Sequence, residues 1–147
     1  MNQYDNLWNA IETRVKQNND ATTLDMGNSE NVFVNQIRQR TAQIFILEII
    51  LDKHRKQFGT RYFPLSGDEA LYHLIFTRTN WLPAQIRTLS LSDALFVIAE
   101  LFRDGNLQEG VKNFLGTQGL RNVSYSVDEF SDRDWAPKEN EVHLSLP

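Results

Sequence analysis

No cysteine occurs in the 147-residue sequence, which removes disulfides, thiolate metal sites and cysteine nucleophiles together. That absence suits a reducing compartment. Glycine is scarce and scattered: the seven glycines never fall close together between a strand and a helix, as a phosphate-cradling loop requires. No G-x-S-x-G elbow, H-E-x-x-H pair or Walker sequence occurs. Long apolar runs are missing too. The longest, residues 44–51, is interrupted by Glu48 and falls far short of a membrane span. The opening MNQYDNLWNAIE has no basic stretch followed by an apolar core, so no secretory signal is expected. These absences predict a cytoplasmic chain with no cofactor, no metal site and no membrane contact.

What is present is ordinary for a globular protein, with 41% apolar and 23% charged residues, except in how charge is placed. Residues 1–127 hold 13 acids and 13 bases. The net charge of −4 therefore sits in residues 128–147, where Asp128, Glu129, Asp132, Asp134, Glu139 and Glu141 face only Arg133 and Lys138. Phe130 and Trp135 stand among those acids. An isoelectric point near 5.3 argues against direct binding of nucleic acid, which needs a dominant positive field. The one basic cluster, Lys53, His54, Arg55, Lys56 and Arg61, closes a predicted helix, where cations complement the helix dipole.

The pattern along the chain predicts a mainly α, single domain over residues 1–147. A helical body (1–118) of about five to six helices is followed by a β and acidic-aromatic segment (119–147), with α+β as the alternative class. Tyr4, Leu7, Trp8, Ile11 and Val15 fall at helical spacing, and a polar loop follows to about Asn28. Ser29 is the expected cap of a helix over residues 30–57. Its middle, IFILEIIL, also suits a buried strand, but its flanks are strong helix formers. A helix apolar on most sides belongs at the centre of a fold. Ser66 and Glu69 read as a capping box, and Pro83 as the first turn of a short helix. Ser90 with Asp93 caps a helix whose stripe is Leu91, Ala94, Leu95, Ile98, Leu101 and Phe102, and a further helix spans about 107–115. Beyond Gly119 the period becomes two: Val123, Tyr125, Val127, and again Val142, Leu144, Leu146. Those stretches predict a small antiparallel ribbon packed on the helices.

Candidates for chemistry are sparse. Glu69 and His73 share a helix face, as metal ligands or as a helix-stabilising pair, but two ligands do not make a site. Glu48 is either a general acid with a raised pKa or, more simply, part of the solvent-facing line of its helix with Asp52 and Arg55. An enzyme built on Glu48, His73 and an arginine needs three distant segments to converge. Arg38, Arg40, Arg78 and Arg87 would make a phosphate face only if they met.

The acidic-aromatic segment carries the stronger functional expectation. Charge steers encounter with a basic surface and a desolvated ring supplies affinity, so Asp128, Glu129, Phe130, Asp132, Asp134 and Trp135 are candidate partner-binding residues. Their competing role is structural, with the rings folded onto the body. In its small size, lack of cysteine, acidity and lack of shared motifs the chain resembles bacterial immunity proteins that neutralise toxins of contact-dependent growth inhibition. That resemblance rests on general character and carries over no residue. It implies an inhibitor of a cognate basic protein such as a nuclease domain. The alternative is a helical adaptor or regulatory protein of a mobile genetic element, without catalytic activity.

Overall fold

Residues 44–51 lie in the middle of helix α2 (Val32–Phe58), the axis of the fold in a computed structural model that describes residues 2–144. The ambiguity between helix and strand resolves as helix, and the helix is central: Ile44, Phe45, Leu47, Glu48 and Leu51 have no solvent exposure. Its cap is Asn31 rather than Ser29. The Asn31 carboxamide oxygen accepts from the Phe33 and Val34 backbone N–H groups, which satisfies donors left free by the first turn. Ser29 offers its carbonyl to the Asn35 and Arg121 side chains. At the other end, Gly59 is required by close approach: a Cβ there would sit 2.6 Å from the Arg55 carbonyl oxygen and 3.0 Å from that of Pro64.

Among the described residues six further helices surround α2: α1 (Gln3–Asn18), α3 (Glu69–Thr79), α4 (Pro83–Arg87), α5 (Leu91–Val97), α6 (Glu109–Gly116) and α7 (Pro137–Glu141). Helix α1 begins with a reciprocal Asn2–Asp5 capping box and buries Leu7, Trp8, Ile11 and Val15, the stripe its spacing predicts. The predicted Ser66–Glu69 box does not form. The Ser66 hydroxyl donates to Glu141 and Glu69 is taken by Arg87, so α3 starts with no side-chain cap. Pro83 opens α4 and Ser90 caps α5 through the Asp93 N–H, both as expected. Helix α5 is shorter than its stripe. It stops at Ile98, and the chain continues as 3-10 turns over Ala99–Phe102 and Asp104–Asn106, where the Asn106 amide donates to the Glu100 carbonyl.

Two apolar clusters share α2. In one, Tyr4, Trp8, Phe45 and Phe114 from α1, α2 and α6 pack edge-on or stacked, with ring centroids 5.1–6.0 Å apart. The other joins Leu47 and Leu51 to α3, α4 and α5. Trp135 touches both clusters.

The C-terminal ribbon is not formed: among the described residues there is no strand. Val123, Tyr125 and Val127 lie in irregular chain, Val142 and Leu144 in a turn after α7, and Leu146 falls outside the described residues. Side chains on α2 supply the hydrogen bonds a partner strand would have given. The Gln39 carboxamide accepts from the Tyr125 N–H (2.7 Å) and donates to the Tyr125 carbonyl (2.9 Å), while Gln36 donates to the Ser126 carbonyl. The class is all-α. Among the described residues no helix is long and apolar enough to cross a membrane.

Candidate partner-binding surface

Over residues 125–144 the chain is strapped across α2, and the strap divides the candidate residues in two. Asp134 goes inside. It has no solvent exposure, its Oδ2 lies 2.9 Å from Arg40 Nε, and its Oδ1 accepts from the side-chain amides of Asn18 and Asn19. Arg40 also donates to the Ser131 carbonyl and the Gln43 side chain, with Phe130 beside its guanidinium, so its charge is fully matched. Phe130 and Trp135 are half-buried against the core. On the surface are Asp128, Glu129 and Asp132. The Asp132 carboxylate accepts from the Leu91 N–H and pins the strap to the start of α5.

Glu48 lies under the strap. It does not belong to a solvent-facing line, because it has no exposure at all. The indole N–H of Trp135, the Asn140 amide and the Arg55 guanidinium surround it. Both Glu48 oxygens, Trp135 Nε1, Asn140 Nδ2 and Arg55 Nη1 are buried without a completed hydrogen bond. Burial pushes the Glu48 carboxyl up to about 7, and the Arg55 charge and the two donors only partly oppose it. His73 belongs to a different group: its Nδ1 lies 2.8 Å from Nε2 of His54, with Phe58 and Phe76 flanking the pair. Glu48 and His73 therefore occupy separate clusters, and Glu69 is a partner of Arg87 rather than of His73.

Most of the candidate basic residues are engaged within the chain. Arg55 donates to the Leu65 and Gly67 carbonyls and pairs with Glu141, while Lys56 pairs with Asp52. Arg38 binds the Met26 carbonyl and Arg78 binds Glu100, so Arg38, Arg40, Arg78 and Arg87 do not share a face. Among the described residues no group of three or more His, Asp or Glu side chains gathers as a metal site would require.

A concavity runs beside the strap. A groove of about 410 Å³ is lined by Gln43, Ser92, Asp93, Leu95, Phe96, Ala99 and Phe102. A smaller hollow bounded by Val127, Asp128, Phe130 and Asp132 shares Gln43, Ser92 and Leu95 with it, so the two are continuous. Three carboxylates line this surface, Asp93, Asp128 and Asp132, and its one cation, Arg40, is internally paired. Phe96 stands on the rim, 83% exposed. Its signal in the sequence is positional: it lies off the apolar stripe of α5, an aromatic on the polar side of a helix. No protein-family model, curated protein or solved structure matches the chain.

Proposed function

We propose that the chain is a protein–protein inhibitor of the immunity type, which binds a basic toxin domain such as a nuclease and neutralises it by occlusion. The observation that carries this reading is the groove between α5 and the strap, where Asp93 and the exposed Phe96 line one part with Leu95, Ala99 and Phe102, and Asp128 and Asp132 line the adjoining hollow. Carboxylates raise the encounter rate with a cationic surface, and an aromatic anchor supplies affinity once desolvated. A nuclease site is electropositive because it holds phosphates, so fixed carboxylates can take the substrate's place. Within the acidic segment this assigns contact to Asp128, Glu129 and Asp132, and support of the surface to Phe130, Asp134 and Trp135.

The test is capture of the tagged chain from its native cells at low and high salt, followed by activity assays of the purified partner. A stoichiometric basic protein, released by salt and inhibited when bound, is the expected result. A chain carrying Asp93→Asn, Asp128→Asn and Asp132→Asn should bind it at least about tenfold more weakly, or about 1.4 kcal/mol. Undiminished binding by that variant at both salt concentrations overturns the reading.

A further inference from the structure

Helix α7 (Pro137–Glu141) is a short lid over the buried carboxyl of Glu48. Its ties run along the edge. The Ser66 hydroxyl and the Gly67 N–H donate to Glu141 Oε1, Arg55 Nε lies 3.3 Å from Glu141 Oε2, and Arg14 of α1 reaches Glu139. Beneath the lid the polar groups are unmatched. Both Glu48 oxygens, Trp135 Nε1, Asn140 Nδ2 and Arg55 Nη1 are shielded from water and complete no hydrogen bond. Buried polar groups are nearly always satisfied, so five gathered around one carboxyl need a physical reason.

Arg55 is shared. Its guanidinium holds Glu141, and the same charge acts on Glu48, as does the like charge of Glu141. One cation therefore serves two carboxyls, one on the lid and one beneath it. Arg55 comes from the same helix as Glu48 and Glu141 from α7, with neutral Trp135 and Asn140 beside them. Neighbouring ionisable groups are turned elsewhere: Arg14 of α1 to Glu139, His73 of α3 to His54, Asp134 to Arg40, and Lys138 along Gly67. A neutral Glu48 leaves Arg55 to Glu141 and the lid stays down. An ionised Glu48 is a second anion in the same dry space, and water reaches it only if the lid rises.

We propose that Glu48 and Arg55 form a proton-operated latch on α7: loss of the Glu48 proton to solvent sets two carboxylates against one guanidinium and lifts α7, with Trp135, from α2. The buried Arg40–Asp134 pair bounds the opening, so residues 135–144 move while the acidic half of the strap stays in place. With the lid closed, burial raises the Glu48 carboxyl to about 7. With the lid open it returns toward 4.5, so rising pH between those values favours the open form. The latch does not depend on the inhibitor reading, because its residues lie outside the groove of Phe96.

Native-state amide exchange at pH 5 and pH 7.5, corrected for the intrinsic effect of pH, tests the latch. The Asn140, His143 and Leu144 amides report on it, since each donates to a carbonyl within residues 136–144. Their protection should lie below that of α1 at both pH values and fall at least about tenfold between them. Glu48→Gln, which cannot ionise, should abolish the fall. Glu141→Gln should weaken lid protection already at pH 5, because Arg55 has lost the charge it held. His143→Asn should keep the fall, which removes the one imidazole on the moving segment as its source. Circular dichroism confirms each fold, and the Glu141 and His143 variants decide if Glu48→Gln unfolds. A wild type with no fall, or with equal protection in the lid and α1, overturns the proposal. So does a fall that survives Glu48→Gln or vanishes in His143→Asn. Lid protection in Glu141→Gln equal to wild type at pH 5 overturns it as well.

Discussion

Arg40 Nε lies 2.9 Å from Oδ2 of Asp134, across 94 residues of sequence, in a pair that is almost entirely shielded from water. Removing one member leaves the other charge buried and alone. Asp134→Ala should therefore destabilise the chain by about 3–5 kcal/mol, while a joint Arg40→Met, Asp134→Leu replacement should lose much less. Equilibrium denaturation of the two chains checks the difference. Equal losses would show that the pair is not what holds the strap.

Two buried groups should give the stability a compensated pH profile. The Glu48 pKa is raised from 4.5 to about 7, so the folded chain holds more protons than the unfolded one between those values. Its contribution is full below pH 4.5 and is lost as pH rises toward 7, by about 3 kcal/mol in all. His54 is pushed from 6.5 down to about 4, by burial first and then by the neighbouring His73 and Arg55. Its contribution is full above 6.5 and is lost as pH falls toward 4. The slopes oppose each other over the shared window. Glu48→Gln should thus gain stability relative to wild type as pH rises from 5 to 8, and His54→Phe should gain it as pH falls. Denaturation midpoints at several pH values read both.

Gln39 should be worth more than its half-exposed position suggests, because it satisfies both backbone groups of Tyr125. Gln39→Ala should cost about 1–2 kcal/mol and speed proteolysis within residues 121–130 well before global unfolding. Amide exchange at Tyr125 is the direct measurement.

Gly59 has an ordinary backbone angle, φ −68°, so a substitution there tests space rather than conformation. Gly59→Ala should destabilise by about 1–3 kcal/mol, since the atoms in the way are backbone oxygens that side-chain motion cannot clear. Thermal denaturation against wild type is sufficient.

The helical body was legible in the sequence because its stripes are strong and its caps local: Tyr4 to Val15, Pro83 and Ser90 all read correctly. The end of α5 was not, since no glycine or proline lies between Ser90 and Gly105 to mark the break at Ile98. The alternation at Val123, Tyr125 and Val127 was real, but its hydrogen bonds go to glutamine side chains on α2, which no local pattern reveals. For Glu48 the local pattern leaves a raised-pKa acid and a solvent-facing position both open, because the donors that face it, Trp135 and Asn140, come from about ninety residues away. Phe130, Asp134 and Trp135 stood out as a cluster; only tertiary contact separates those that hold the strap from the acids left on the surface.

The strap also sets an order of events during synthesis. Arg40 emerges from the ribosome long before Asp134, the carboxylate that pairs with it. A nascent chain that ends short of Asp134 carries an unpaired cation at Arg40 in what should become a dry region. It should remain a loose, protease-sensitive collection of helices. Arrival of residues 125–144 is then what lets the core close over α2, so chains lacking them should be cut by protease more readily.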